Sequence, residues 1–97
     1  MTTNQIMERA VDTFGHCHQI IKAIEEMAEL QKEICKYLNE TGIDQERMDN
    51  ISQEIADVEI MLEQLKIIFS NQERVEDWKK LKLLRLEYRL NWKGAQA

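Results

Sequence analysis

No proline interrupts this chain of 97 residues, and its three glycines stand at 15, 42 and 94. Proline and glycine are the strongest local breakers of helices. Between the widely spaced glycines the sequence is dominated by Glu, Lys, Leu, Ile, Met and Gln, which favour helix over strand. An all-α chain follows. Without a linker, repeat or low-complexity tract, residues 1–97 read as one domain. A chain this short buries a modest fraction of its surface, so the core of a lone copy is marginal.

Apolar spacing divides the chain into four helical segments. The first, about Asn4 to Phe14, places Ile6, Met7, Ala10, Val11 and Phe14 at helical intervals and is interrupted by Gly15. It is short enough to act as a flap. The second runs from about Cys17 to Asn39, with Ile20, Ile24, Met27, Ile34, Cys35 and Leu38 on one face, and is expected to stop at Thr41-Gly42. The third spans about Gln45 to Phe69, capped by Asp44, with a seam of Ile51, Ile55, Val58, Leu62, Leu65 and Phe69 at alternating steps of four and three. Ser70-Asn71-Gln72-Glu73 fits a capping box, with Ser70 as the cap of a fourth helix reaching about Trp92 and Gly94 just beyond.

The two central helices are each roughly 35–38 Å long at 1.5 Å per residue. A compact monomer of this size has a radius of gyration of only about 12.5 Å, too small to enclose both. Ile60, Met61, Ile67 and Ile68 add apolar surface away from the third helix's seam. A four-helix bundle core completed by oligomerisation, as a homodimer or homotetramer, is therefore expected.

Net charge is −5, and it is unevenly placed. Residues 1–72 carry six Lys/Arg against fourteen Asp/Glu, whereas residues 73–97 carry seven against four. The acidic body argues against nucleic-acid binding, while the basic final helix suits a polyphosphate or remains a solvated charged face. No apolar run approaches the ~20 residues that span a bilayer, and the N-terminus lacks a basic, apolar leader, so a cytoplasmic protein without membrane contact is expected. Cys17 and Cys35, about 27 Å apart along one helix, cannot form a disulfide with each other and read as buried thiols.

Chemistry concentrates in two segments, Glu25-Glu26-Met27-Ala28-Glu29 and Glu54-Ile55-Ala56-Asp57. Each places two carboxylates three residues apart, one turn above the other on one helix face. Like charges so placed repel unless a cation lies between them. On the third helix the row through Asn50, Glu54 and Asp57 continues into Met61 and Ile68, which points the acids inward. On the second, Glu26 and Glu29 share a row with Gln19, Lys22, Glu33 and Lys36 at the edge of the core. Antiparallel pairing of the two helices brings Glu26, Glu29, Glu54 and Asp57 together. Hard oxygen ligands of this kind select Mg²⁺ or Mn²⁺, and Mg²⁺ binds carboxylates jointly with substrate phosphates. In a chain so rich in charge, ordinary salt bridging is the competing explanation of either motif alone.

Other chemistries fit less well. Ferritin-like di-iron bundles need Glu-x-x-His, and no His lies three residues after a Glu. His16-Cys17-His18 occupies consecutive helical positions about 100° apart, which do not converge on one ion. No P-loop or Gly-x-Ser-x-Gly is present.

Glu25-Glu26-x-x-Glu29 followed by Glu54-x-x-Asp57 resembles the signature of the MazG-like all-α nucleoside triphosphate pyrophosphohydrolases. Gln19-Ile-Ile-Lys-Ala-Ile-Glu-Glu-Met-Ala-Glu-Leu and Glu54-Ile-Ala-Asp-Val-Glu-Ile-Met-Leu-Glu-Gln-Leu-Lys are similar to its short phage and prophage members, the likeness covering about residues 14–92. The resemblance implies Mg²⁺-dependent hydrolysis of a nucleoside triphosphate between its α and β phosphates. It implies Glu26, Glu29, Glu54 and Asp57 as metal ligands, with Glu25 supporting them. Lys79, Lys82, Arg85 and Arg89 match the basic last helix and are candidate phosphate clamps, and Gln19 and Lys22 are candidates for the nucleotide end of the pocket. The alternative is a noncatalytic helical module that dimerises or binds a partner helix through the seam from Ile51 to Phe69.

Overall fold

Local chemistry at the helix ends fixes where each element starts. The computed structural model describes residues 1–40 and 44–96, with side chains described to Trp92, and forms four helices without a strand among those residues. Helix α1 covers Thr3–Phe14 and begins on a capping box. There the Gln5 backbone N–H donates to Thr2 Oγ1 at 3.1 Å, and the Thr2 N–H donates to Gln5 Oε1 at 2.8 Å. Thr2-x-x-Gln5 is the sequence signature of that start, and it moves the helix one residue ahead of the expected Asn4.

Gly15 both closes α1 and opens α2, which covers His16–Asn39. Its N–H donates to Val11 O and its C=O accepts from Gln19 N–H. Its backbone, φ 92° and ψ 156°, lies in a region that essentially glycine alone occupies. The expected Thr41-Gly42 stop lies outside the described residues. Helix α3 covers Gln45–Phe69, as expected, with Asp44 accepting from Glu46 N–H at 3.0 Å.

The start of α4, Gln72–Gln96, differs from the capping box expected at Ser70. Ser70 instead ends α3 in a left-handed conformation, φ 50°, with its N–H on Ile67 O. The chain needs that residue to reverse direction, so it is unavailable to cap the next helix. Gly94 does not end α4 either, since the helix runs through it. A glycine weakens a helix interior without terminating it, and nothing else there competes.

Helices α2 and α3 pack antiparallel along most of their length, and α1 lies across both, while among the described residues α4 touches α3 alone. The core is small: Met7 and Val11 of α1, Ala23 of α2, and Val58 and Met61 of α3 are the buried apolar residues. Ala23 of α2 is 1 % exposed. The apolar faces expected from spacing enter this core only in part, with Ile51 and Leu65 of α3 and Ile20 and Met27 of α2 half-buried. In the α3 seam Val58 is buried, whereas Ile55, Leu62 and Phe69 are each more than 40 % exposed. On α2, Ile24, Ile34 and Leu38 likewise face outward. Cys17 and Cys35 are exposed too, contrary to the expected buried thiols, because they sit on this outward side of α2. The radius of gyration, 17.3 Å, exceeds the ~12.5 Å of a compact chain this long.

The Gly15 hinge makes a direct prediction. A Cβ there meets no neighbouring atom within 4 Å, so Gly15→Ala carries a purely conformational cost. It should lower folding stability by about 1–3 kcal/mol in denaturant titration. An unchanged midpoint would show that the hinge relaxes freely.

Candidate metal centre between two helices

The α2–α3 seam carries a polar pair at three successive levels, set by antiparallel register. At the loop end, Arg47 of α3 is clasped by Glu33 of α2 and by Glu40 at its C-cap, with Arg47 Nη2 2.6 Å from Glu40 Oε1. The Arg47 hydrogen bond holds the Glu40 carboxyl below its ordinary range, despite an opposing desolvation effect. At the far end Gln19 Nε2 donates to Gln64 Oε1 at 2.7 Å, both amides buried. Between them, seven residues from Glu33 and seven from Arg47, stand Glu26 and Glu54. On α2 the three levels follow at steps of about 10.5 Å, whereas on α3 Gln64 lies ten residues, about 15 Å, beyond Glu54.

The two outer levels are matched pairs, whereas the middle one brings like charges together. Glu26, Glu54 and Asp57 each offer a carboxylate oxygen, and these oxygens lie within 4.8 Å of one another. Glu54 is the innermost. Its Oε2 is buried without a hydrogen-bond partner. Burial foremost, then the charges of Glu26, Asp57 and Glu29, push its pKa above the ordinary carboxylate value. Among the described residues Lys22 sits at the rim with Nζ 3.3 Å from Glu26 Oε1, half exposed.

An acceptor atom withdrawn from water costs about 1–3 kcal/mol unless something donates to it, and more when it is charged. A proton on Glu54 meets the need in part. A divalent cation among the three carboxylates meets it more fully, because it cancels the repulsion as well. The donors are all carboxylate oxygens, the set suited to Mg²⁺ or Mn²⁺ rather than to a soft metal. By its donor chemistry and its orphaned Glu54 oxygen, the site fits such an ion.

The other expected site residues fall in different places. Glu29 is exposed and adds to the negative field at Glu54, but it stands outside the trio. Glu25 points to solvent. Lys22 is committed to Glu26 rather than open to a ligand. Gln19 is 4 % exposed, bonded to Gln64 and to His18 Nδ1 at 2.7 Å, so it stiffens the seam instead of facing a pocket. Lys79, Lys82, Arg85 and Arg89 are exposed on α4, and Lys79 pairs with Glu76 at 3.6 Å on its own helix. Within one chain the structure does not bring these basic residues to the acids.

Gln64, half of the buried amide pair, is the residue that sequence reasoning missed. Its signal was present: it lies three residues after Met61 and four before Ile68, on the row that carries the acids inward. Comparison of the chain with protein-family models, curated proteins and solved structures yields no match. The chemistry of the site therefore rests on its own residues.

Two linked predictions follow from Glu54. Because folding raises its pKa, ionising it opposes folding, and in the absence of divalent ions stability should rise as pH falls from neutrality toward the ordinary value of 4.5. The Glu40–Arg47 pair acts in a separate window, its contribution being lost below that value. Thermal melts with chelator across pH 4.5–8 check this, and Glu54→Gln should flatten the trend and raise the melting temperature. A trend unchanged in that variant would remove Glu54 as its source. Metal binding must also displace the Glu54 proton, so affinity for Mg²⁺ should increase with pH over the same range, measured by calorimetry.

Proposed function

We propose that this chain is a Mg²⁺- or Mn²⁺-dependent nucleoside triphosphate pyrophosphohydrolase of the MazG-like kind, acting as a homo-oligomer. The reading rests on one observation above all: a buried, unpartnered Glu54 oxygen within a cluster of three carboxylates from two facing helices. The likeness of the two acidic motifs to that family supports it, as does the basic composition of α4.

In this reading Glu26, Glu54 and Asp57 hold the ion, with Glu29 at the open edge. Bound there, a divalent metal supplies the positive charge and Lewis acidity that polyphosphate hydrolysis needs. Lys22 limits the excess negative charge at Glu26, which otherwise repels an anionic substrate. The exposed Glu29 carboxylate is placed to accept the proton of an attacking water. The water oxygen bonds to phosphorus, the α–β bridging bond breaks, and pyrophosphate leaves with the bridging oxygen. Lys79, Lys82, Arg85 and Arg89 serve as the phosphate clamp from a second subunit, since they lie apart from the acids of their own chain. Arg47, which ties Glu33 and Glu40 together, holds the register that sets Glu26 against Glu54.

A second reading, a noncatalytic helical module that pairs with itself or another helix, draws on the outward apolar rows of α2 and α3. The two readings separate on metal dependence. The enzyme should release pyrophosphate from a nucleoside triphosphate only with Mg²⁺ or Mn²⁺. Glu54→Ala should lower kcat/KM by more than the ~10–100-fold typical of losing an outer-shell metal partner, with helicity retained. Activity unchanged in that folded variant would defeat the assignment. At 100 times its dissociation constant the ion should also stabilise the fold by about 2.7 kcal/mol, whereas the module predicts no shift.

A further inference from the structure

Among the described residues the buried side chains are five apolar ones and two amides, Gln19 and Gln64, each 4 % exposed. In so small a core the choice of amides calls for a reason. Replacing both partners of a buried hydrogen bond by aliphatic groups of the same shape is near neutral or stabilising. What the bond adds is direction. A single buried polar residue can fix the register of two packed helices, at a cost in stability.

The contacts run in one line. His18 Nδ1 lies 2.7 Å from Gln19 Oε1, Gln19 Nε2 donates to Gln64 Oε1 at 2.7 Å, and Gln64 Nε2 donates to Met61 Sδ at 3.8 Å. Their place along the seam is specific. Gln19 is seven residues before Glu26, and Gln64 is seven residues after Asp57. Seven residues return a helix to within about 20° of the same face and advance it by about 10.5 Å. Because α2 and α3 run antiparallel, both steps lead toward the same end of the seam. The Gln19–Gln64 bond therefore indexes Glu26 against Asp57.

The tie at the other end indexes a different carboxylate. Glu33 lies seven residues after Glu26, and Arg47 seven before Glu54, so their ion pair sets Glu26 against Glu54. The two ties differ by three residues on α3, which is the spacing between Glu54 and Asp57. Held by both, Glu26 meets the two carboxylates of α3 at once, and oxygens of all three fall within 4.8 Å of one another. Without the amide bond, the repulsion between Glu26 and Asp57 is free to part them.

We propose that Gln19 and Gln64 are positioning residues, whose bond seats Asp57 against Glu26 and is kept for the shape of the carboxylate trio rather than for stability. This rests on the reading of the trio as a cation site and names what holds that site in shape. About 10.5 Å along the seam from Glu26 and Asp57, the glutamines act through those carboxylates and not on the ion.

Mn²⁺ binding to the full chain, followed by the paramagnetic resonance of the free ion, tests this. Gln19→Leu combined with Gln64→Leu removes both partners and leaves no unpaired amide in the core. In chelator this double variant should melt at or above the wild-type temperature. Its Mn²⁺ affinity should nevertheless fall about 10-fold or more, as for the loss of an outer-shell metal partner. If the bond acts through Asp57, the same two substitutions should cost little in an Asp57→Asn background, the non-additivity of coupled residues. Gln64→Met, in which Gln19 keeps its contact with His18, is a second variant to which the same affinity comparisons apply. Undiminished Mn²⁺ affinity in the folded variants would overturn the proposal. So would a double variant that melts well below wild type, or an equal loss of affinity with and without Asp57. A wild-type chain that binds no Mn²⁺ would remove the cation-site reading itself, and the proposal with it.

Discussion

The antiparallel seam between α2 and α3 is the constraint on which the rest of the structure depends. Its register is pinned at one end by Arg47 against Glu33 and Glu40, and at the other by the buried Gln19–Gln64 amide pair. Between two satisfied levels, the same register forces Glu26 and Glu54 together and draws Asp57 in beside them. Sliding one helix past the other by a turn would relieve the repulsion but would break both outer pairs. The middle level is thus held in an unfavourable arrangement by favourable ones, as expected of a site awaiting a ligand.

That arrangement also explains the thin core. The rows of α2 and α3 that face each other carry Glu, Gln and Arg among small or flexible apolar residues, notably Ala23 and Met61. Several branched aliphatic residues, Ile24, Ile34, Leu38, Ile55 and Leu62, are left exposed. A single chain accordingly buries few large side chains, keeps α4 apart from the body and extends well beyond compact dimensions.

Much of this was legible in the residues. Helix α3 was readable to the residue from Asp44 and its apolar spacing, and the four-helix order from apolar spacing, the break at Gly15 and the absence of proline. The pairing of Glu26 with Glu54 and Asp57 followed from two i,i+3 motifs on long helices. On α3 the inward row of Glu54 and Met61 was legible, whereas the inward side of α2 was not. The apolar arcs of α2 and α3 are wide enough to pack at several rotations, and the buried Gln19–Gln64 bond selects among them. Glu29 fell outside the trio although it lies one turn along α2 from Glu26. Ser70 illustrates a local ambiguity, since a residue able to cap the next helix was needed to end the previous one.

The central claim is that the middle level of the seam is a cation site. Titration of the isotopically labelled chain with Mn²⁺, followed by amide NMR line broadening, tests it most directly. The account predicts broadening centred on the turns of α2 around Glu26 and of α3 around Glu54, reversed by excess Mg²⁺ and absent in Glu54→Gln. Broadening spread evenly over the exposed acids, or none at those two turns, would contradict it.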